Sequence, residues 1–265
     1  MFKTVEISDA RFAVEGLRYV TVHSPALAQR VDLTLWVPEC AVGQSHLPVV
    51  ILLHGVYGSH WAWAFKGGAH RTAASMVRSG EIPPLVLAMP SDGLWDQGSG
   101  YVPHATQDFE RWIVEEVPAA TQRAVAETSE QSTMCLAGLS MGGFGALRLG
   151  AKYPGRFRAV SAHSAATDQD QFKTLIGERL SAWSDRESDR SVLAPMLQNR
   201  DRLPPFRFDC GVDDFLIGPN RELHRDLTAA GIPHSYEEFP GAHTWSYWEL
   251  HLRDSLRFFG ARLAA

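Results

Sequence analysis

The sequence predicts an α/β fold, with a mostly parallel central sheet, helices on both faces and an antiparallel N-terminal meander. Three observations lead to this prediction. From Val49 onward, strand-like apolar runs alternate with helical patterns, which is typical of parallel sheets with helical crossovers. Before Val49, three strand-like runs follow one another with no helical pattern between them. A chain of 265 residues is often one domain in such folds, so residues 1–265 are predicted to form a single domain.

The N-terminal strands are predicted over Thr4–Ile7, Arg18–His23 and Leu33–Val37. Because no helix separates these runs, we expect them to pair antiparallel at the start of the sheet. Val49–Leu53 is almost continuously apolar, as expected for a central strand that is buried on both faces.

The later elements alternate and are bounded by glycine and proline signals. Further strands are predicted over Leu85–Met89, Met134–Ala137, Phe157–Ala162, Phe206–Cys210 and His234–Phe239. Helices are predicted over Trp61–Arg78, Asp108–Ala126, Gly142–Lys152, Asn220–Ala230 and Thr244–Phe259.

The segment 164–203 interrupts this alternation because it is polar and charged. Its few apolar residues are spaced as on short helices. We therefore expect a small helical insertion on the edge of the sheet formed by the carboxyl ends of the strands. Either it helps to shape the site or it is a solvated surface segment.

Composition and charge exclude several classes of partner. Hydrophobic residues make up 45% of the chain, enough for a sizeable core. The net charge of −5 gives no reason to expect nucleic acid or an anionic membrane as a partner. No apolar run is long enough to span a bilayer. The first six residues lack the apolar core of a signal peptide, so we expect a cytoplasmic protein. The sequence leaves open whether the protein forms a homo-oligomer.

The cysteines and histidines show no metal or disulfide framework. The three cysteines cannot all pair, and Cys135 and Cys210 lie in strand-like runs that predict buried thiols. The 11 histidines include no H-E-x-x-H or comparable spacing. We therefore expect no catalytic metal and no cofactor.

The motif Gly138-Leu139-Ser140-Met141-Gly142 stands between a predicted strand and a predicted helix. A sharp turn in that position is the nucleophile elbow of an α/β hydrolase, in which small residues let a strained serine project above the sheet. The following helix favours negative charge at its N-terminus. Ser140 is therefore predicted to be the nucleophile of an acyl-transfer reaction.

A second element, His54-Gly55-Val56-Tyr57-Gly58, follows the buried strand Val49–Leu53. Acyl transfer needs two N–H donors aimed at the oxyanion of the tetrahedral intermediate. We expect the amide of Met141 to be one donor and that of Val56 to be the other, with Tyr57 as second choice. His54 precedes the serine and is expected to brace the loop.

The predicted base is His243, in the loop between the last strand and the last helix. His224 and His251 also follow the serine but lie on helical runs, and His234 begins a strand. The acid is expected in Asp213-Asp214, just after the strand that ends at Cys210. Spacing does not choose between these two aspartates.

These motifs together resemble the esterase D-like family of α/β hydrolases. The resemblance rests on His54–Gly58, Gly138–Gly143, Cys210–Leu216 and Gly241–Trp245, and it spans roughly residues 33–259. Family members include tributyrin esterases, S-formylglutathione hydrolases, feruloyl and acetyl-xylan esterases, and mycolyltransferases.

The resemblance implies an α/β-hydrolase fold and a role for each matched residue. The family's serine falls on Ser140, its histidine on His243 and its aspartate on Asp214. Its oxyanion donors fall on the amides of Val56 and Met141. The His-Gly-Val-Tyr-Gly loop is more similar to the tributyrin-esterase branch than to the formylglutathione branch.

The expected function is that of a serine carboxylesterase that hydrolyses small, short-chain acyl esters through an acyl-enzyme. The alternatives are an acyltransferase or a carbohydrate esterase, acting on acetyl or feruloyl groups, on the same scaffold. A non-catalytic hydrolase-like binding protein is a third interpretation. Trp95 and Tyr101, in the loop after a strand, either line the substrate pocket with Tyr57 or merely pack the loop.

Overall fold

A mixed sheet organises the computed structural model of this chain, which describes residues 2–41 and 43–263. Met1, Val42, Ala264 and Ala265, which belong to the predicted 1–265 domain, lie outside the described residues. Within the described part the sheet has nine strands in the order β1-β2-β3-β5-β4-β6-β7-β8-β9. The strands are β1 (Val5–Ile7), β2 (Leu17–Ser24), β3 (Gln29–Trp36), β4 (Val49–Leu53), β5 (Val86–Pro90), β6 (Met134–Leu139), β7 (Ala159–His163), β8 (Phe206–Gly211) and β9 (Ser235–Phe239).

The first three strands form the predicted antiparallel meander, and β3 also pairs antiparallel with β5. From β5 to β9 every neighbouring pair is parallel. The carboxyl ends of these strands therefore lie along one edge of the sheet, which is where open α/β sheets place their sites.

The helices follow the predicted alternation. They are α1 (Ala62–Phe65), α2 (Ala69–Arg78), α3 (Phe109–Arg111), α4 (Val117–Ala124), α5 (Met141–Lys152), α6 (Lys173–Ile176), α7 (Glu187–Arg190), α8 (Leu193–Gln198), α9 (Ile217–Ala229) and α10 (Trp245–Leu263). A π-helical turn, Trp112–Glu116, joins α3 to α4. Short 3₁₀ turns occur at Ala10–Phe12, Glu39–Ala41, Gln169–Phe172, Gly177–Ala182 and Arg200–Arg202.

The predicted helix Trp61–Arg78 is in fact two helices. Gly68 separates them with a left-handed backbone, φ 56°, which is favourable only for glycine. Gly67 beside it is in close contact with Trp245: a Cβ at Gly67 would lie 3.0 Å from Cζ3 of that ring. The helical pattern of α1 and α2 is correct, but it is interrupted at Gly68, next to a contact with the far end of the chain.

Two apolar cores confirm that helices cover both faces of the sheet. Alternate residues of β4 enter opposite cores: Val49, Ile51 and Leu53 enter one, and Val50 and Leu52 the other. All five are buried, as the continuous apolar run predicts. Helices α4, α5, α8 and α9 contribute to the first core, and α2 and α10 to the second.

The segment between β7 and β8 consists of short helical turns held on α5 by buried charges. Arg148 of α5, fully buried, donates to Glu110 at 2.6 Å and to Asp189 of α7 at 3.0 Å. Lys152 also contacts both carboxylates. Removing one member would leave a buried charge unpaired, which is strongly destabilising.

The three cysteines are free thiols, Cys40 exposed and Cys135 and Cys210 buried as expected. Burial raises the pKa of Cys135 to about 12, so this thiol is chemically inert. Within residues 2–41 and 43–263, no helix combines the length and the apolar character needed to cross a bilayer.

Candidate active site

Ser140 lies on a strained turn between β6 and α5. Its backbone has φ 54° and ψ −116°, outside the regions that an L-residue normally adopts. Its N–H donates to the carbonyl of His163 at 3.0 Å. A Cβ at Gly138 would lie 2.1 Å from the Gly142 carbonyl oxygen, and a Cβ at Gly142 would lie 2.2 Å from that of Leu53. Only glycine therefore fits at these two positions of the motif.

His243 contacts both Ser140 and Asp214. Its Nε2 lies 3.0 Å from the Ser140 hydroxyl oxygen. Its Nδ1 lies 2.9 and 3.0 Å from the two carboxylate oxygens of Asp214. Because a carboxylate only accepts hydrogen bonds, Nδ1 carries the proton and Nε2 is left to accept one from the serine. The loop between β9 and α10 holds His243 in this position.

Asp214, and not Asp213, is the aspartate that contacts the histidine. Asp214 is 2% exposed and also accepts from the Leu216 amide at 2.9 Å. Burial acts to raise the pKa of its carboxyl, but the hydrogen bonds from His243 and Leu216 outweigh burial and hold this pKa below its ordinary value. The Asp214 carboxylate therefore stays ionised beside the imidazole. Asp213 is exposed to solvent.

The loop after β4 brings its backbone against the serine. A Cβ at Gly55 would lie 3.3 Å from the Cβ of Ser140 and 2.9 Å from Cδ1 of Leu139. The Tyr57 amide donates to the Gln97 carbonyl at 2.8 Å and is therefore occupied. Among the described residues, the backbone N–H groups of Val56 and Met141 have no hydrogen-bond acceptor within the protein.

His54 supports this loop from below. Its Nδ1–H donates to the Gly55 carbonyl at 2.7 Å, and the Tyr101 hydroxyl donates to the His54 carbonyl at 3.0 Å. Both side chains are buried. His54 therefore has the bracing contact that its position in the sequence predicts.

A cavity of about 360 Å³ opens beside Ser140 and His243. Of the residues predicted to bind substrate, Tyr57 lines this cavity. Tyr101 does not, because it is fully buried beneath the loop. Trp95 packs on His104, with ring centroids 4.4 Å apart, and also lies outside the cavity lining. The structure thus brings Ser140, His243, Asp214 and Tyr57 together, but it does not add Trp95 and Tyr101 to them.

Sequence reasoning missed most of the cavity wall. The side chains that were not predicted to line the cavity come from the two ends of α1, the insertion, the loop after β8 and α10. They are Trp61, Lys66, Leu175, Phe215, Trp245 and Trp248. Phe215 packs on the His243 ring at 4.5 Å, and Trp248 meets that ring edge-on at 4.9 Å. The apolar spacing that placed Leu175 on a helix was the available signal for the insertion.

A second buried Asp–His pair lies beneath the elbow and was also missed. His163 Nδ1 contacts Asp209 at 2.9 Å, and its Nε2 lies 2.8 Å from the Ser255 hydroxyl. Burial acts to raise the pKa of Asp209, but His163, Arg207 and Tyr247 outweigh it and the pKa is lowered. His163, Asp209 and Ser255 are all fully buried, so this group fixes β7, β8 and α10 and does not meet substrate.

The described residues contain no group of three or more His, Cys, Asp or Glu side chains that could hold a metal ion. The cavity contains the Ser140 hydroxyl and the His243 imidazole, which is oriented to accept the hydroxyl proton. Val56 lines the same cavity, and Met141 begins α5 directly after Ser140.

The sheet order, the serine on its strained turn and the chain order Ser, Asp, His define an α/β hydrolase. A family model named Esterase, with the description "Putative esterase", matches residues 24–259. The chain belongs to this esterase family, and the resemblance to the esterase D-like family is confirmed.

Individual relatives agree with this assignment. The chain is 25% identical over 236 residues to an acetyl esterase of Caldicellulosiruptor saccharolyticus, covering 82% of this chain and 85% of the relative. It is 26% identical over 194 residues to esterase Rv1288 of Mycobacterium tuberculosis, covering 61% of this chain but only 42% of that protein. A solved ferulic acid esterase has the same fold, with a TM-score of 0.79, 24% identity and coverage of 97% and 98%. The chain is thus an ester-hydrolysing enzyme of the α/β-hydrolase fold.

Proposed function

We propose that the chain is a serine carboxylesterase for short-chain acyl esters, with Ser140 as nucleophile, His243 as general base and Asp214 as the orienting acid. One observation carries this proposal: the continuous hydrogen-bonded series from the Ser140 hydroxyl through His243 to the buried Asp214. The amides of Val56 and Met141 are proposed as the oxyanion donors, since both are without a protein acceptor among the described residues.

Acylation follows from this arrangement. The Ser140 oxygen bonds to the ester carbonyl carbon while its proton passes to Nε2 of His243. The carbonyl oxygen becomes an oxyanion at the Val56 and Met141 amides. The intermediate then expels the alcohol, which takes the proton from Nε2, and the acyl group stays on Ser140.

Deacylation repeats the sequence with water. Water gives a proton to Nε2 and its oxygen attacks the acyl carbon. The second tetrahedral intermediate releases Ser140, which recovers its proton from Nε2, and the free acid leaves. Throughout, the ionised Asp214 stabilises the imidazolium that forms twice per cycle.

The size of the cavity supports short acyl chains. Its volume of about 360 Å³ lies at the small end of the range for ligand sites, and aromatic side chains crowd its wall. The acetyl esterase relative is consistent with a small acyl group.

As part of the proposal, residues 1–265 act as one domain with an insertion at 164–203. The free thiols support a reducing, cytoplasmic setting.

The nucleophile is tested with a serine-directed fluorophosphonate. We expect one adduct per chain on the wild type, located on Ser140 by peptide mass spectrometry. Ser140→Ala should lose both labelling and turnover while its melting temperature shows an intact fold. An adduct that persists in this variant would refute the assignment.

Hydrolysis and acyl transfer share this acyl-enzyme and differ in its acceptor. Products are therefore analysed with a model acetate ester in the presence of glycerol or a sugar. Free acid as the dominant product supports the esterase. A new ester that accounts for most of the acyl group would identify an acyltransferase.

A further inference from the structure

Lys66 lines the cavity that contains Ser140, and it is the one Lys or Arg in the described lining. Its side chain is exposed, and its Nζ lies 5.6 Å from the ring centroid of Trp245. Lys152 and Lys173 each have a carboxylate partner. Lys66 has no carboxylate or other hydrogen-bond acceptor for its ammonium among the residues that the structure describes.

The backbone holds Lys66 next to Trp245. The Lys66 N–H donates to the Ala62 carbonyl at 2.9 Å, which ends α1. The next residue, Gly67, is in close contact with the Trp245 ring. Trp245 lies two residues after His243 and meets Trp248 edge-on. An aromatic wall therefore runs from the ammonium to the imidazole.

The charge of the cavity is one-sided. Its described lining includes Lys66 but no Asp or Glu. Glu249 lines a neighbouring groove with Lys66, yet no ion pair within 4.0 Å joins them in the described part of the chain. The protein as a whole is negatively charged, at −5, so this local positive site is not a consequence of composition.

A substrate that enters the cavity displaces water from the ammonium. A neutral substrate removes that hydration and returns no compensating acceptor, which is unfavourable. A substrate with an anionic group restores the lost interaction, and the lower dielectric of the occupied cavity strengthens the attraction. The cavity should therefore discriminate between charged and neutral esters of the same shape.

We propose that Lys66 is a specificity-determining residue that binds a carboxylate carried by the ester substrate. This proposal rests on the proposed function of Ser140 and names the class of its substrates: small esters that also carry an acid group. The aromatic wall contacts the body of the substrate between the ester carbonyl and that acid group.

The test uses matched pairs of charged and neutral esters. For an acid group on the alcohol side, 4-acetoxybenzoate is compared with 4-acetoxybenzamide. For an acid group on the acyl side, monomethyl adipate is compared with the methyl ester in which the free acid is replaced by a primary amide. For at least one pair we expect kcat/KM to favour the carboxylate by about threefold to tenfold, mainly through KM, as for an ion pair that is partly removed from water.

Variants assign this preference to the ammonium. Lys66→Gln should reduce the ratio to about one, whereas Lys66→Arg should keep most of the preference. Lys3→Gln, an exposed lysine outside the cavity lining, is the charge-matched control and should leave the ratio unchanged. Raising the salt concentration to about 1 M should weaken the preference in the wild type and not in Lys66→Gln.

Two results would overturn the role of Lys66. One is equal hydrolysis of both members of both pairs by the wild type, and the other is a preference that survives Lys66→Gln. Either result leaves the esterase itself intact if turnover depends on Ser140. If no ester is hydrolysed and the fluorophosphonate does not label Ser140, the proposed function fails instead.

Discussion

Replacing Asp214 by asparagine removes one negative charge from the interior and alters almost no volume. The carboxylate is 2% exposed, and both of its oxygens lie within 3.0 Å of His243 Nδ1. Water cannot take its place, so the imidazolium formed during acyl transfer loses its counter-charge. The amide also permits the wrong imidazole tautomer. Serine proteases with the equivalent change lose about 10⁴ in kcat, and we expect a loss of about 10²–10⁴ here, or roughly 3–5.5 kcal/mol of transition-state stabilisation.

The assay is kcat for p-nitrophenyl acetate, with the melting temperature as a check on folding. Asp213→Asn is the matched control, because it makes the same change of charge at the adjacent, exposed residue. It should alter kcat by less than about twofold, as is usual for surface substitutions. The reasoning is refuted if Asp213→Asn is the more damaging change, or if Asp214→Asn keeps kcat within tenfold of the wild type.

Three further predictions follow from the structure. Burial acts to raise the pKa values of Glu110, Asp189 and Asp209, but ion pairs and hydrogen bonds outweigh it, so each pKa lies below its ordinary value of 4.5 or 3.8. These groups stabilise the fold above about pH 5, and that stability is lost as the pH falls below about 4. The melting temperature should therefore fall in acid, and a melting temperature that stays constant to about pH 3 would contradict this prediction. Prolonged EDTA treatment should leave esterase activity unchanged, whereas loss followed by recovery with a divalent ion would count against the mechanism. On p-nitrophenyl esters, kcat/KM should peak between acetyl and butyryl, since each methylene contributes up to about 0.8 kcal/mol only while it fits. A steady rise through decanoate would indicate an open apolar channel.

The parts of the fold that depend on local pattern were predictable. The bounds of β4 agree with its apolar run, because a strand buried on both faces needs no partner to be recognised in sequence. The elbow at Ser140 was predictable because its strain forces glycines into fixed positions. His243 was identifiable because it is the histidine that follows the serine on a loop after a strand.

The parts that depend on distant contacts were not predictable. Gly67, beside the break at Gly68, contacts Trp245, which comes from the other end of the chain. Tyr101 is buried because its loop folds back onto α5, where a Cβ at Gly145 would lie 2.7 Å from the tyrosine ring. Leu175 reaches the cavity from α6, and Phe215 reaches it from the loop after β8. Periodicity describes one element at a time and carries no information on which elements meet.

Because Ser140 has a left-handed backbone, selection for stability and selection for catalysis favour different residues at that position. A non-glycine residue held in such a conformation costs about 1–3 kcal/mol, a sizeable share of the net stability of a typical domain. Glycine would relieve that strain and end the chemistry, so a population under pressure for thermal stability alone would drift away from serine at position 140. The persistence of a serine there would thus report continued demand for turnover, independently of any knowledge of the substrate.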